Sequence, residues 1–249
     1  MAHPELPVWA RITLTIFTAL SFLPRLHKLF TSKKSSGISP YYVLSNLLLA
    51  TNHSTIYLAL SDFLNLTLLF IVWLLFFLLF IVTLSYLPPA DQPAKRTVVS
   101  IYIGFLLISL ILQVYDILGG FNDIAHSERD WLLVFFIAGH IAIVNPVLTL
   151  CALVSAAYQS RRILRGPTVV NEFSVSGLAA QSVVFALVAS PRFVDNAVLD
   201  WYVKFGWPVV ENAVFAIVHF VILCVVVRRS WGGTHPCLIQ RGETEPLLS

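Results

Sequence analysis

Seven stretches of mostly apolar residues follow one another along the chain, over residues 8–27, 40–61, 65–87, 97–119, 131–157, 169–190 and 206–227. Each has about 20 residues, enough for a helix to cross a hydrocarbon core of roughly 30 Å. Lipid offers the backbone no hydrogen bonds, so an isolated apolar run must satisfy its own and is predicted to be helical. The pattern predicts an all-α membrane protein with seven transmembrane helices. The breaks between runs carry turn-forming and charged residues: Ser32 to Gly37, Pro88 and Pro89, Gly119 and Gly120, Gly166 and Pro167, and Pro191. An odd number of crossings puts the two termini on opposite sides.

Composition agrees with this reading. Of 249 residues, 57% are hydrophobic and 12% charged, and the mean hydropathy is +0.81, too little polar surface to cover a water-soluble particle of this size. The runs leave no room for a soluble domain. The net charge of +3 is small and its basic residues stand between the runs rather than in an aromatic-interleaved patch, so no nucleic-acid partner is expected. Cys151, Cys224 and Cys237 are odd in number and lack metal-type spacing, so neither a disulfide framework nor a metal site is expected, and no cofactor is implied. Near the start, Glu5 and Arg11 do not form the basic region of a removable leader, and the first helix is expected to act as its own signal.

Basic residues orient the predicted bundle. Arg25, Lys28, Lys33, Lys34, Lys95, Arg96, Arg161, Arg162, Arg165, Arg228, Arg229 and Arg241 fall on one side, twelve of the sixteen Lys and Arg; only Arg11, Arg129, Arg192 and Lys204 fall on the other. Cytosolic loops retain such residues, which places the N-terminus on the lumenal side and the C-terminus in the cytosol. Trp9, Tyr41, Tyr42, Tyr86, Trp131, Trp201, Tyr202 and Trp207 lie near predicted helix ends and read as an interfacial aromatic belt. Trp73 sits mid-helix, either as lipid-facing filler or as a ring for a substrate to stack on.

A faint internal repeat runs through the chain. The first helix ends in Ser21-Phe22-Leu23-Pro24-Arg25, followed by basic residues, Ser35-Ser36-Gly37-Ile38-Ser39 and the second helix; the fifth ends in Ala156-Ala157-Tyr158-Gln159, followed by Arg161-Arg162, Glu172-Phe173-Ser174 and the sixth. Pro24 to Ser39 spans 15 positions and Tyr158 to Ser174 spans 16. Three helices, a linker helix and three more would follow: residues 1–87 as a first triple-helix repeat, 88–130 as linker helix and loop, 131–228 as a second repeat, and 229–249 as a cytosolic tail. A parallel duplication of this kind places its site between the halves.

At residues 14–47 the chain resembles the PQ-loop repeat family, which includes the SWEET sugar transporters, the lysosomal cystine and cationic amino-acid exporters and, more distantly, the KDEL receptor. Both defining pairs depart from the family: Pro24 is followed by Arg25 where the family has Gln, and Gln159 is preceded by Tyr158 where it has Pro. The resemblance implies a 3+1+3 arrangement of two parallel triple-helix bundles and alternating-access transport of a small polar solute such as an amino acid or sugar, with proton coupling as an option. It also implies that the proline lets its helix bend. Pro24 either does this or simply ends the first helix at the headgroups; Pro146 offers another bend.

Polar groups at membrane depth are costly and mark pathways. Asn46, Asn52 and His53 on the second predicted helix, Asp116 with Gln113 on the fourth, His140 and Asn145 on the fifth, and Glu211, Asn212 and His219 on the seventh are the candidates. Asn46 and His53 stand seven apart on one helix face, as do Asn212 and His219. Glu211 and His219 are the groups suited to proton coupling, because both titrate readily with their surroundings; the alternatives are a water-exposed Glu211 and histidines that only join helices.

The tail, Glu243-Thr-Glu-Pro-Leu247-Leu248, resembles an acidic dileucine signal read by clathrin-adaptor-type sorting machinery, which favours an endolysosomal or vacuolar membrane. Two other functions fit the length and helix number: a seven-helix terpene cyclase using Glu211 or Asp116 as acid, and a sorting receptor of the KDEL-receptor kind. Nucleophile–base, metal and glycine-rich phosphate motifs are absent from the sequence, which disfavours hydrolase, kinase and dehydrogenase chemistry.

Overall fold

The computed structural model describes residues 8–60, 63–119, 126–165, 173–190 and 207–232. Every regular element among them is helical: α1 (Val8–Ser32), α2 (Pro40–Leu60), α3 (Phe63–Ser85), a short 3-10 turn (Pro89–Asp91), α4 (Gln92–Gly119), α5 (His126–Gly139), a π turn (His140–Val144), α6 (Asn145–Arg165), α7 (Val175–Ala189) and α8 (Trp207–Gly232). The π turn joins α5 and α6 end to end, so the fifth apolar run is one rod.

Among the described residues, four stretches are long and apolar enough by length and composition to cross a membrane: Leu66–Ser85, Gln92–Leu110, Val134–Arg165 and Trp207–Trp231. α1 and α2 fall below that measure because of what they bury. Arg25 on α1 and Asn46, Thr51, Asn52, His53 and Thr55 on α2 all turn inward, each no more than 5% exposed. Outward face Ile12, Ile16 and Phe17 on α1, Leu107 and Ile108 on α4, and Phe135, Ile143 and Val154 on the α5–α6 rod, all more than half exposed. An apolar core that also holds buried polar side chains, under an apolar exterior, fits a membrane setting.

Packing follows a repeated order. α3 packs against both α1 and α2, and α8 against both α6 and α7; α1 also meets α7, α2 meets α6, and α4 lies on α2. At the α2–α6 contact the Ser45 and Ser155 hydroxyls hydrogen-bond, small residues that let helices approach closely. At the α1–α7 contact Gly177 comes so near that a Cβ would stand 3.3 Å from the Arg25 backbone nitrogen. Gly177→Leu should therefore force α7 off α1 and lower stability by about 1–3 kcal/mol, the usual range for overpacking, read as a lower thermal midpoint in detergent; an unchanged midpoint would mean the contact yields freely.

Pro24 does not end the first helix at the headgroups: α1 continues past it to Ser32. Proline has no N–H to give the Leu20 carbonyl, so α1 carries a break in its ladder at that point. The second weak point is the π turn, where the Asn145 N–H reaches back to the His140 carbonyl just ahead of Pro146, which has no N–H of its own. Extra turns of this kind recur at functional positions.

α2 starts with Pro40 at its first helical position, where the missing N–H costs nothing, and Ser39 caps it through its carbonyl, which accepts from Tyr42 N at 3.1 Å. α7 is capped by Ser174, whose hydroxyl accepts from Gly177 N at 3.2 Å.

Candidate functional site

Two groups of buried polar side chains lie inside the bundle. The first joins α2, the π turn and α8. His140 Nδ1 is 2.6 Å from Asn52 Oδ1, so the imidazole N–H donates there, while Asn52 Nδ2 donates to Asn145 Oδ1 at 2.8 Å. The π turn sets this up, because its extra residue brings His140 and Asn145 to the same face. Phe136 covers the His140 ring at 4.0 Å between centroids. On the neighbouring residue of α2, His53 Nδ1 lies 2.6 Å from Glu211 Oε2, with the Trp207 ring 4.9 Å from the imidazole. The contact is a close approach of imidazole and carboxylate, and neither Glu211 oxygen has a hydrogen-bond partner among the described residues. Glu211 is fully buried, so the water-exposed alternative for it does not hold.

The second group lies where α1, α2, α7 and α8 meet. Arg25, Tyr42, Asn46, Gln181 and His219 are all at most 2% exposed. Asn46 Nδ2 donates to the Tyr42 carbonyl at 2.7 Å, and His219 Nδ1 donates to the Phe215 carbonyl at 2.7 Å. The Arg25 guanidinium sits 5.4 Å from the centre of the Tyr42 ring, and that ring is 6.4 Å from His219. Phenylalanines surround the imidazole: Phe185 at 5.9 Å and Phe76 at 6.3 Å.

Both loops that precede α2 and α7 are held by the opposite partner. Gln159 on α6 accepts from Ser39 N at 2.6 Å and donates to the Gly37 carbonyl at 2.8 Å. On the other side, Lys28 of α1 donates to the Phe173 carbonyl at 2.6 Å. Arg162 adds a bond to the Ser36 carbonyl at 2.6 Å and an ion pair with Asp91 at 2.9 Å.

The positions singled out in the sequence divide as follows. Asn52, His140 and Asn145 come together, as do His53 and Glu211. Asn46 and His219 belong to the second group, whereas Asn212, 8% exposed, donates back to the Pro208 carbonyl on its own helix at 2.7 Å. Gln159 is fully buried, and Tyr158 is 54% exposed and faces outward. Asp116 and Gln113 lie on the part of α4 whose side chains are outside the described residues, and Glu243, Leu247 and Leu248 are outside them as well. Three expectations are corrected. Tyr42 and Trp207 are buried at 0% and 2%, not interfacial; Arg25 is a buried helix residue, not a loop charge. Trp73 is not lipid-facing filler, for its N–H donates to Thr51 Oγ1 at 3.1 Å and to the Tyr102 hydroxyl at 3.2 Å. It lines a laterally open groove of about 450 Å³ between α2, α3 and α4, with Thr55, Thr67 and Phe70 among the walls. Gln181 escaped the sequence reading although it is a polar residue inside an apolar run, the same signal that marks Asn46.

The chain defined by this fold and interior is an all-helical protein of membrane character, with ionisable groups sealed among its helices. Compared with protein-family models and with curated proteins, it matches none.

Proposed function

We propose that the chain is a seven-span, 3+1+3 transporter of PQ-loop type that moves a small polar solute by alternating access, with its N-terminus lumenal and its C-terminus cytosolic. The observation that carries this reading is the crossed packing of two triplets around buried polar groups. In each triplet the third helix stands between the other two, α3 between α1 and α2 and α8 between α6 and α7, and the triplets meet through the matching pairs α1–α7 and α6–α2. That correspondence is what a parallel duplication turned about an axis along the membrane normal would produce. α4, packed on α2, is the linker. Pro24 in α1 and the π turn ahead of Pro146 supply one weak point in each triplet.

The His53–Glu211 pair is the proposed proton-coupling element, because it bridges the triplets through α2 and α8 and carries a transferable proton. The dileucine motif at Glu243, Leu247 and Leu248 supports an endolysosomal or vacuolar address. Purified protein in liposomes should accumulate a small solute faster under an imposed proton gradient, and Glu211→Gln should reduce that rate to the level without a gradient. Flux that ignores pH in the unaltered protein would remove the coupling, and no flux of any small polar solute would remove the transporter reading.

A further inference from the structure

Arg25 is charged at every accessible pH, only 2% exposed, and its Nε, Nη1 and Nη2 atoms make no hydrogen bond. The ion pairs among the described residues, His53–Glu211 and Arg162–Asp91, do not involve it. The Tyr42 ring beside it supplies a cation–π contact, and no carboxylate among the described residues pairs with the guanidinium. A buried charge with no counterion is among the most expensive arrangements a protein can hold, and a chain retains one when something else supplies the opposite charge.

The neighbouring groups define what that something is. The Asn46 amide nitrogen is committed to the Tyr42 carbonyl, which leaves its Oδ1 as an unpartnered acceptor. His219 donates through Nδ1 to Phe215, so in its neutral form Nε2 carries a lone pair, and it too is unpartnered. Both polar atoms of Gln181 are likewise buried and unbonded, and the buried Tyr42 hydroxyl lies beside the Arg25 and Asn46 side chains. Gln181 stands one helical turn from Gly177, which touches Arg25, and one turn from Phe185, which packs on His219. Five side chains from four helices thus present one cationic fork, two acceptors and two groups able to act either way, all enclosed.

We infer that Arg25, Tyr42, Asn46, Gln181 and His219 form the binding site for a small α-hydroxy carboxylate. The carboxylate pairs with the Arg25 fork in the bidentate manner that guanidinium favours, and the adjacent hydroxyl donates to Asn46 Oδ1. Charge selects this class over an amino acid: a monoanion neutralises Arg25, whereas a zwitterion would leave the enclosed site at +1. Phe185 and Phe76, 5.9 and 6.3 Å from the His219 ring, make apolar neighbours for the remaining carbons and favour a short chain. This inference names the solute for the proposed transporter and rests on that reading only for the movement, not for the binding.

Thermal unfolding of the detergent-purified full chain tests it. Glycolate and L-lactate at saturating concentration should raise the midpoint by about 5 °C, acetate should raise it less because it lacks the hydroxyl, and glucose should leave it unchanged. Arg25→Gln, which removes the uncompensated charge, should equal or exceed the unaltered protein in ligand-free midpoint and lose the carboxylate response. Should that variant fail to fold, Asn46→Leu decides the matter: it should keep the response to acetate and lose the advantage of lactate over acetate. A carboxylate response that survives Arg25→Gln, or its absence from the unaltered protein, overturns the inference. Uptake of a sugar or cation without any carboxylate response would sink the site and leave the transporter reading standing; carboxylate binding without flux in liposomes would do the reverse.

Discussion

His53→Ala is expected to lower the unfolding free energy by about 3–5 kcal/mol, the usual effect of removing one partner from a buried ion pair. Glu211 is fully enclosed and has the His53 imidazole as its close basic neighbour at 2.6 Å. With the imidazole gone, the carboxylate must either stay charged without a counterion or take up a proton, and both oppose folding at neutral pH. The double variant His53→Ala/Glu211→Gln removes both charges and should recover most of the loss. Denaturation of the two single variants and the double variant measures the coupling directly. If the double variant is as unstable as the two losses added together, the pair does not act as a unit.

Gln159→Ala is the second large effect, expected at about 2–4 kcal/mol. One carboxamide satisfies two buried backbone groups, the Ser39 N–H and the Gly37 carbonyl, and each orphaned group costs about 1–3 kcal/mol. Gln159→Glu retains the acceptor for Ser39 N and loses the donor to Gly37, so it should fall between the unaltered chain and the alanine variant. A thermal midpoint insensitive to Gln159→Ala would show that this loop is held elsewhere.

The helices were legible because each apolar run is long and its neighbours are separated by prolines, glycines and charges; α3 and α8 follow the runs at 65–87 and 206–227 closely. The site was legible in part for the same reason: a polar residue inside an apolar run stands out, which is how Asn46, His53, His140, Asn145, Glu211 and His219 were found. Which of these meet was not legible, since contact depends on helix order. Asn46 and His53 share a face of α2 yet serve different clusters, because the two helical turns that separate them carry one to the level of Arg25 and the other to that of Glu211. Arg25, Tyr42 and Trp207 were misplaced by their position near the ends of predicted runs, where sequence assigns water or headgroups. α1 in fact extends to Ser32, carrying Arg25 inside. The π turn had no signature beyond Pro146, as its phase shift depends on local backbone bonding rather than on periodicity.

The loop before α2 is gripped from α6, and the loop before α7 from α1. Were the two proposed triplets to rock, this crossed clasp would hold them together at the rim bearing Gly37 and Phe173 and make it a fulcrum, with the wider opening at the opposite end.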